Sequence, residues 1–171
     1  MKFILALFLV FGLVLPAAAE EMAVQMKVID PDPKGTNVRD KPSGKVIKVI
    51  SNGKTEKEID MRGLTVLIQD KDWFKVRLYD DTEGWMHRSV LGACASATED
   101  GDPYAHAKPT DDSKSWKVPS ETPLYLISGP VKSGQSLWAE FRYTDSTGKK
   151  RTAWFVQQTF SGNPYTLCHG N

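Results

Sequence analysis

TNVRDKPSG at residues 36–44 decides the fold of this 171-residue chain, together with WFKVRL at 73–78 and GWMH at 84–87. In these stretches short groups of apolar residues alternate with polar ones, and Pro, Gly, Asn or Asp stand between the groups. Alternation with a period of two is typical of half-buried strands, and from residue 22 onward no long segment has the period of a helix. The sequence therefore predicts an all-β protein.

Further short strands are predicted at 24–28, 46–50 and 64–68, where apolar residues dominate. The segment 30–35, which follows the first of them, contains two prolines and a glycine. Pro cannot donate to a central ladder and Gly permits a tight turn, so this segment is predicted to end the strand. Short strands at regular spacing, with turn residues between them, indicate a small barrel or sandwich.

These motifs resemble the bacterial SH3 domain family, whose members carry an Asn-Val-Arg opening, a Gly-x-x-Val strand, a Trp-x-x-Val strand and a closing Gly-Trp. The matching residues are Asn37-Val38-Arg39 with Pro42 and Gly44, Gly63 to Val66, Trp73 to Val76, and Gly84-Trp85. The resemblance covers roughly 24–91 and implies a small SH3-like barrel, which we expect to occupy residues 22–92. It departs from the family at 51–62, which is long and charged, and we expect an exposed loop there.

The second half of the chain partly repeats the pattern of the first. When Trp138 is aligned with Trp73, the later Trp154 corresponds to Trp85 after a longer turn. Such self-similarity is typical of repeated units, although the second half lacks an Asn-Val-Arg motif and a glycine before its last tryptophan. We expect residues 120–171 to form a second small β domain. It is either a degenerate second copy of the SH3-like barrel, which would cover 119–160, or another small β unit.

The segment 93–119 between the two units is rich in Asp, Ser, Pro, Thr and Ala. Such a composition does not bury enough apolar surface to fold alone, so we expect an exposed linker. Glu99, Asp100, Asp102 and His106 lie close together in it. Their spacing matches neither a calcium loop nor a zinc site, and no metal site is predicted.

Residues 1–19 have the layout of a secretory signal peptide. Lys2 gives a positive start, residues 3–15 are almost entirely apolar, and small residues lead to Ala19. The apolar run is shorter than the roughly 20 residues that span a bilayer. We expect cleavage after Ala19, a periplasmic or secreted location, and no stable membrane insertion.

Cys94 and Cys168 are the two cysteines of the chain. In an oxidising compartment an even cysteine count is most simply explained by a disulfide, and the alternative is a pair of free thiols. A nucleophilic Cys94 would need a positioned base, and none of the three histidines lies in a recognisable catalytic frame. We therefore predict a structural disulfide, no enzymatic activity and no cofactor.

The charge balance argues against nucleic acid as a partner. Removal of the signal peptide takes away Lys2 and leaves 21 of the 22 basic side chains, which equals the 21 acidic ones. A neutral chain lacks the clustered positive charge that nucleic acid requires. The family resemblance implies instead that the partner is a cell-wall glycan or peptide, and that the protein recognises peptidoglycan or its peptide stems. The alternative is an interaction or inhibitor domain that binds another exported protein.

Exposed aromatic rings and neighbouring polar groups are the predicted means of binding. The predicted binding residues are Tyr79, Asp80, Asp81, Trp85, Arg39 and Trp116. Aromatic faces suit both sugar rings and proline-rich peptides. We expect Tyr79 and Trp116 to be exposed because they lie beside polar turns. Trp73 and Trp85 fit the core of so small a barrel better, and Arg39 is expected to bond loop carbonyls.

Overall fold

The chain folds into one antiparallel sheet of thirteen strands within the described residues, 22–166 and 168 of the computed structural model. The strands are β1 (Val24–Val28), β2 (Thr36–Arg39), β3 (Val46–Ile50), β4 (Gly63–Asp70), β5 (Trp73–Leu78), β6 (Glu83–His87), β7 (Leu91–Ala95), β8 (Tyr104–His106), β9 (Ser115–Lys117), β10 (Pro123–Ser133), β11 (Ser136–Thr144), β12 (Lys150–Val156) and β13 (Phe160–Ser161). The predicted all-β class is confirmed. The predicted signal peptide lies outside the described residues, and within them no helix is long and apolar enough to cross a membrane.

The strand order is β3-β2-β6-β5-β4-β1-β7-β10-β11-β12-β8-β9, and β13 also pairs with β7. β7 therefore joins the two halves of the chain. Its first residues, Leu91 and Gly92, pair with β1, and its last residues, Cys94 and Ala95, pair with β13. Along its opposite edge β7 pairs with β10. All five residues of β7 are buried, as expected for a strand covered on both edges and both faces.

The first half of the sheet buries the alternating apolar residues that the sequence predicted. In β5, Phe74, Val76 and Leu78 are buried, whereas the residues between them are half-buried. Val38 of β2 and Met86 of β6 are fully buried beside them. Burial of each such side chain stabilises the fold by roughly 1.5–3 kcal/mol. The core of this half is therefore built by strands in which every second side chain is buried.

The segment 51–62, expected to be an exposed loop, contains the short helix α1 (Glu56–Asp60). None of its five residues is buried, so the expected exposure is largely right. The helix begins with a capping box, in which Thr55 accepts a hydrogen bond from the Glu58 amide and the Glu58 carboxylate accepts one from the Thr55 amide. Hydrogen bonds from Thr55 and then Ser51 lower the pKa of Glu58.

Aromatic side chains fill the core of the second half. Trp138 and Phe155 are fully buried, and the rings of Phe141 and Phe155 meet edge to face with centroids 5.8 Å apart. Phe141 also meets Phe160 of β13, at 4.9 Å. Edge-to-face pairs of this kind add stability beyond their buried area. Phe160 of β13 is thus part of the core.

The segment 93–119, expected to be an exposed linker, contributes three strands to the sheet. Its first residues belong to the buried strand β7, and the β8–β9 hairpin extends the sheet beyond β12. Ala105 and Val118 are fully buried. Asp102 accepts hydrogen bonds from the amide and hydroxyl of Ser120, at 2.9 and 3.0 Å. Some apolar residues of the segment 93–119 are thus buried against strands from other parts of the chain, which the composition of the segment alone did not reveal.

No metal-ligating cluster is present among the residues that the structure describes, and this includes the acidic residues at 99–102. His106, which follows them, lies beside Trp138, with ring centroids 5.0 Å apart. His106 therefore packs against an aromatic ring, and its Nδ1 also lies 3.5 Å from the Ser113 hydroxyl oxygen.

A disulfide joins Cys94 of β7 to Cys168, with the two Cα atoms 5.9 Å apart. The predicted pairing is present, and no described cysteine is free. The segment before Cys168 lies on β1, where a Cβ added to Gly162 would come within 2.4 Å of the Met26 nitrogen. On the same strand, Lys27 Nζ donates to Thr166 O at 2.6 Å. The C-terminal segment is therefore attached to the first half by covalent, packing and hydrogen-bonding contacts.

The free energy of unfolding should rise with pH above about 8 because of Lys27. Burial, and then the charge of Arg62, lower the pKa of Lys27 from 10.5 to about 8, although Glu121 acts in the opposite direction. Between these values the unfolded chain binds a proton that the folded chain has released, so raising the pH stabilises the fold. Urea unfolding at about pH 7.5 and about pH 9.5 should differ by about 2 kcal/mol.

The control for this prediction is Lys27→Met, which removes the titrating group and keeps an unbranched side chain. The variant loses the hydrogen bonds to Thr166 and starts from a different stability, but its pH-dependent rise should disappear. A rise of the same size in Lys27→Met would show that another group is responsible.

Candidate functional site

A groove of about 650 Å³ lies where the first half of the sheet meets the C-terminal segment. Residues of β1, β4 and β5 line it together with residues 161–165. Two tyrosine side chains, Tyr79 and Tyr165, belong to this lining, and both are exposed, Tyr79 more than Tyr165. The charged side chains that line it include Asp60, Asp81 and Arg77. The groove thus combines aromatic rings with charges of both signs.

Tyr79 lies in the tight turn between β5 and β6 and is 74% exposed. The turn is closed by hydrogen bonds from the Leu78 amide to Thr82 O and from the Asp81 amide to Leu78 O. Asp81 has a φ of 61°, a left-handed conformation that Asp adopts more readily than most residues. The turn therefore holds Tyr79 out from the sheet at the edge of the groove.

Asp80, between these two residues, is occupied by contacts within the fold. Its carboxylate forms an ion pair with Lys48 of β3 and accepts a hydrogen bond from the Thr82 amide. The hydrogen bond from Lys48 is the main cause that lowers the pKa of Asp80 to about 2. Asp80 fixes the turn to β3, and it does not belong to the groove lining.

Tyr165 fixes the other wall of the groove. Its hydroxyl donates to Asp60 Oδ1 at 2.7 Å, and this bond to a carboxylate raises the pKa of Tyr165 to about 12. Its amide donates to Asn163 Oδ1 at 2.9 Å, which closes a turn within the segment. The phenol is therefore held against α1 while about half of the side chain stays exposed.

Arg77 brings a cation to the groove from β5. Its guanidinium bonds Glu83 of the neighbouring strand, with Nη2 to Oε1 at 2.9 Å, and Lys75 contacts the same carboxylate at 2.7 Å. Hydrogen bonds from Lys75 and then Arg77 hold the pKa of Glu83 below its usual value. Since all three groups are partly exposed, the cluster orients the guanidinium rather than burying it.

Arg39 and Trp85 lie away from the groove. Arg39 Nη1 donates to Gly44 O at 2.6 Å, which matches the expected bonding of loop carbonyls, and its guanidinium lies 5.9 Å from the ring of Trp73. Trp85 is half-buried and pairs with Arg39 across β2 and β6. A small cavity of about 150 Å³ adjoins Arg39 and Trp73. Arg39 and Trp85 therefore mainly stabilise the contacts of β2 with β6 and with the loop that follows β2.

Trp116 lies in a separate place, on β9 in the second half. It was expected to be exposed but is half-buried, because it packs against the core, and it lines a second cavity, of about 460 Å³. The six predicted binding residues are therefore distributed over three places. The structure brings Tyr79 and Asp81 together in the groove, puts Asp80 beside them, and separates Arg39, Trp85 and Trp116 from them.

Three residues of the groove lining, Tyr165, Asp60 and Arg77, were not among the predicted binding residues. Tyr165 reaches the groove across more than 100 residues of chain, and no local pattern signals such a contact. One signal was available, because the predicted disulfide would bring the residues before Cys168 close to β7. Following that link would have placed the C-terminal tyrosine beside the first half of the chain.

The antiparallel strand topology and the exposed groove are typical of a β-rich binding module. Residues 34–92, hereafter the SH3 domain, match the family model of the bacterial SH3 domain. The match runs from before β2 to the start of β7 and includes the Asn37-Val38-Arg39 and Gly84-Trp85 motifs. β1 precedes the match, yet it completes the sheet by pairing with β4. No curated protein matches the chain significantly.

Proposed function

We propose that the protein is an exported binding module of the cell envelope that recognises the peptide stems of peptidoglycan. The groove between the SH3 domain and the C-terminal segment is the observation that carries this proposal. Its volume of about 650 Å³ is that of a site for a ligand of a few residues. The bacterial SH3 family is one of binding modules, which agrees with a non-catalytic role.

The chemistry of the lining supports a short peptide as ligand. Peptide stems carry amino and carboxylate groups, so they need partners of both charges. Asp60 and Asp81 supply carboxylates to the groove and Arg77 supplies a guanidinium. The rings of Tyr79 and Tyr165 supply apolar faces at a low cost in conformational entropy, because a tyrosine has few rotatable bonds.

An extracytoplasmic location supports the same proposal. The disulfide between Cys94 and Cys168 is of a kind that persists in oxidising compartments. The N-terminal sequence has the three-part layout of a secretory signal. A protein of this kind meets the cell wall after export.

Tyr79→Ala should weaken binding and leave stability almost unchanged. The side chain is 74% exposed and contributes little to the core, whereas an aromatic contact in a binding site is worth about 1 kcal/mol or more. In a pulldown with purified peptidoglycan, the apparent affinity should fall roughly tenfold, while the thermal midpoint shifts little. Tyr125→Ala is the matched control, because Tyr125 is an exposed tyrosine of β10 that is not part of the groove lining.

Two results would contradict the proposal. In one, the unmodified mature protein is not retained by peptidoglycan at all. In the other, Tyr79→Ala and Tyr125→Ala are retained equally well, which would place the contact elsewhere. Capture of a single dominant protein from envelope extract, without retention by peptidoglycan, would favour an interaction or inhibitor domain.

A further inference from the structure

We propose that the second half of the protein holds a separate site for a carboxylate-bearing sugar, in the cavity beside Trp116. The cavity has a volume of about 460 Å³ and lies between β9 and the hairpin that joins β11 to β12. It shares no lining residue with the groove and lies wholly outside the segment 34–92. The proposal therefore does not depend on recognition of peptidoglycan.

The wall of this cavity is an aromatic surface with a fixed orientation. The indole nitrogen of Trp116 donates to the hydroxyl of Tyr143 at 2.6 Å, and Tyr143 is only 2% exposed. The indole has one polar atom, and that atom is bonded within the protein. The surface that Trp116 contributes to the cavity is therefore apolar. Val118 and Pro119 extend this surface.

Cations surround the aromatic wall. Lys114, Lys117 and Arg151 line the cavity together with the carboxylate of Asp145. This carboxylate already accepts hydrogen bonds from Arg151 Nε at 2.8 Å and from the Thr147 hydroxyl. Those bonds hold the pKa of Asp145 far below its usual range, so it stays ionised and engaged.

Positive charge is therefore available to a ligand at the rim. Within the described part of the chain, the Lys114 amine forms no hydrogen bond or ion pair. Lys117 Nζ lies over the ring of Tyr104, 5.6 Å from its centroid, and the Arg151 guanidinium keeps donors beyond the one that bonds Asp145. The rim carries three cations against one carboxylate that is already paired. Such a rim attracts an anion.

An acidic sugar satisfies both features. A pyranose ring has a flat apolar face of C–H groups that stacks on an aromatic ring, and its carboxylate would meet the lysines. An acidic peptide carries the same charge without such a ring, and comparison with one separates the two kinds of ligand.

The test uses calorimetric titration of the mature protein with trigalacturonate, and with maltotriose as a neutral sugar of similar size. At an ionic strength of about 50 mM, trigalacturonate should bind and maltotriose should bind at least tenfold more weakly. Raising the salt to about 0.5 M should weaken trigalacturonate binding, because the charges are exposed and screened. Triglutamate should bind poorly, since it carries the charge without the ring.

Variants locate the site. The double variant Lys114→Gln/Lys117→Gln should lower the affinity for trigalacturonate roughly tenfold. Lys150→Gln is the matched control, because Lys150 is an exposed lysine of β12 outside the lining. Tyr79→Ala should leave trigalacturonate binding unchanged. Retention on peptidoglycan should survive the double lysine change, so the failure of one proposal is distinguishable from the failure of the other.

The proposal is overturned if trigalacturonate fails to bind the unmodified protein. It is equally overturned if the double variant binds as well as Lys150→Gln, since the contact then lies elsewhere. Equal affinity for triglutamate and trigalacturonate would also overturn it, because the site would then recognise acidic peptides through charge alone.

Discussion

Gly84→Val should prevent the SH3 domain from folding stably. Gly84 lies in β6, next to Trp85, which pairs with Arg39 of β2. A Cβ added there would come within 2.4 Å of Val38 Cγ1 and 2.9 Å of the Arg39 carbonyl oxygen. Val38 is fully buried and the carbonyl belongs to the backbone, so neither moves easily. We expect a loss of about 3 kcal/mol or more, which is a large share of the stability of an ordinary domain.

The measurement is the urea unfolding midpoint, followed by near-ultraviolet circular dichroism of the buried aromatic rings. Gly84→Ala and Gly63→Ala form a matched pair that isolates the effect of the Cβ atom. At Gly63 the nearest atoms to an added Cβ are 3.4 Å away, which is ordinary contact. If Gly84→Ala proves as stable as Gly63→Ala, close packing is not the reason for glycine at position 84.

Removal of the disulfide should produce the second large effect. Replacement of both Cys94 and Cys168 by alanine opens a bridge between residues 74 positions apart. The chain-entropy model gives a loss of about 4 kcal/mol for a loop of this length. The segment that ends at Cys168 would then be held only by weaker contacts, such as that of Tyr165 with Asp60. Retention on peptidoglycan should therefore fall together with stability.

Unfolding in urea with and without a reducing agent measures this effect. The reducing agent should lower the midpoint of the unmodified protein towards that of the double alanine variant. It should leave the double variant itself unchanged, which controls for other effects of the reagent. A midpoint of the unmodified protein that does not respond to the reducing agent would contradict the expected contribution of the bridge.

Local patterns predicted the first half of the chain well. The Asn37-Val38-Arg39 and Gly84-Trp85 motifs lie where turns and alternating strands are set by neighbouring residues, and the matched family model includes both. The prediction that Tyr79 is exposed also agrees with the structure, because a polar turn has no core to offer a ring. The pairing of Cys94 with Cys168 followed from their number and the expected compartment.

Features that depend on distant contacts were not predictable in the same way. The β8–β9 hairpin has strands of three residues, too short for a period to show, and it is stabilised by pairing with β12. The alignment of Trp138 with Trp73 was based on spacing, yet Trp138 is fully buried whereas Trp73 is half-buried. Helix α1 has five residues, too few for a helical period to show in the sequence.

The attachment of β13 and residues 161–166 to β1 and β7 affects the order in which parts of the protein can fold. The residues that complete the groove and pair with Cys94 leave the ribosome after those of β1 to β12. Until they emerge, the surface of β1 over Met26 and the outer edge of β7 at Ala95 have no partner. Contacts between residues that are far apart in the sequence slow folding. The nascent chain can thus form most of its strands while the groove is still incomplete. A product truncated before Phe160 would lack the wall of the groove that residues 161–165 form.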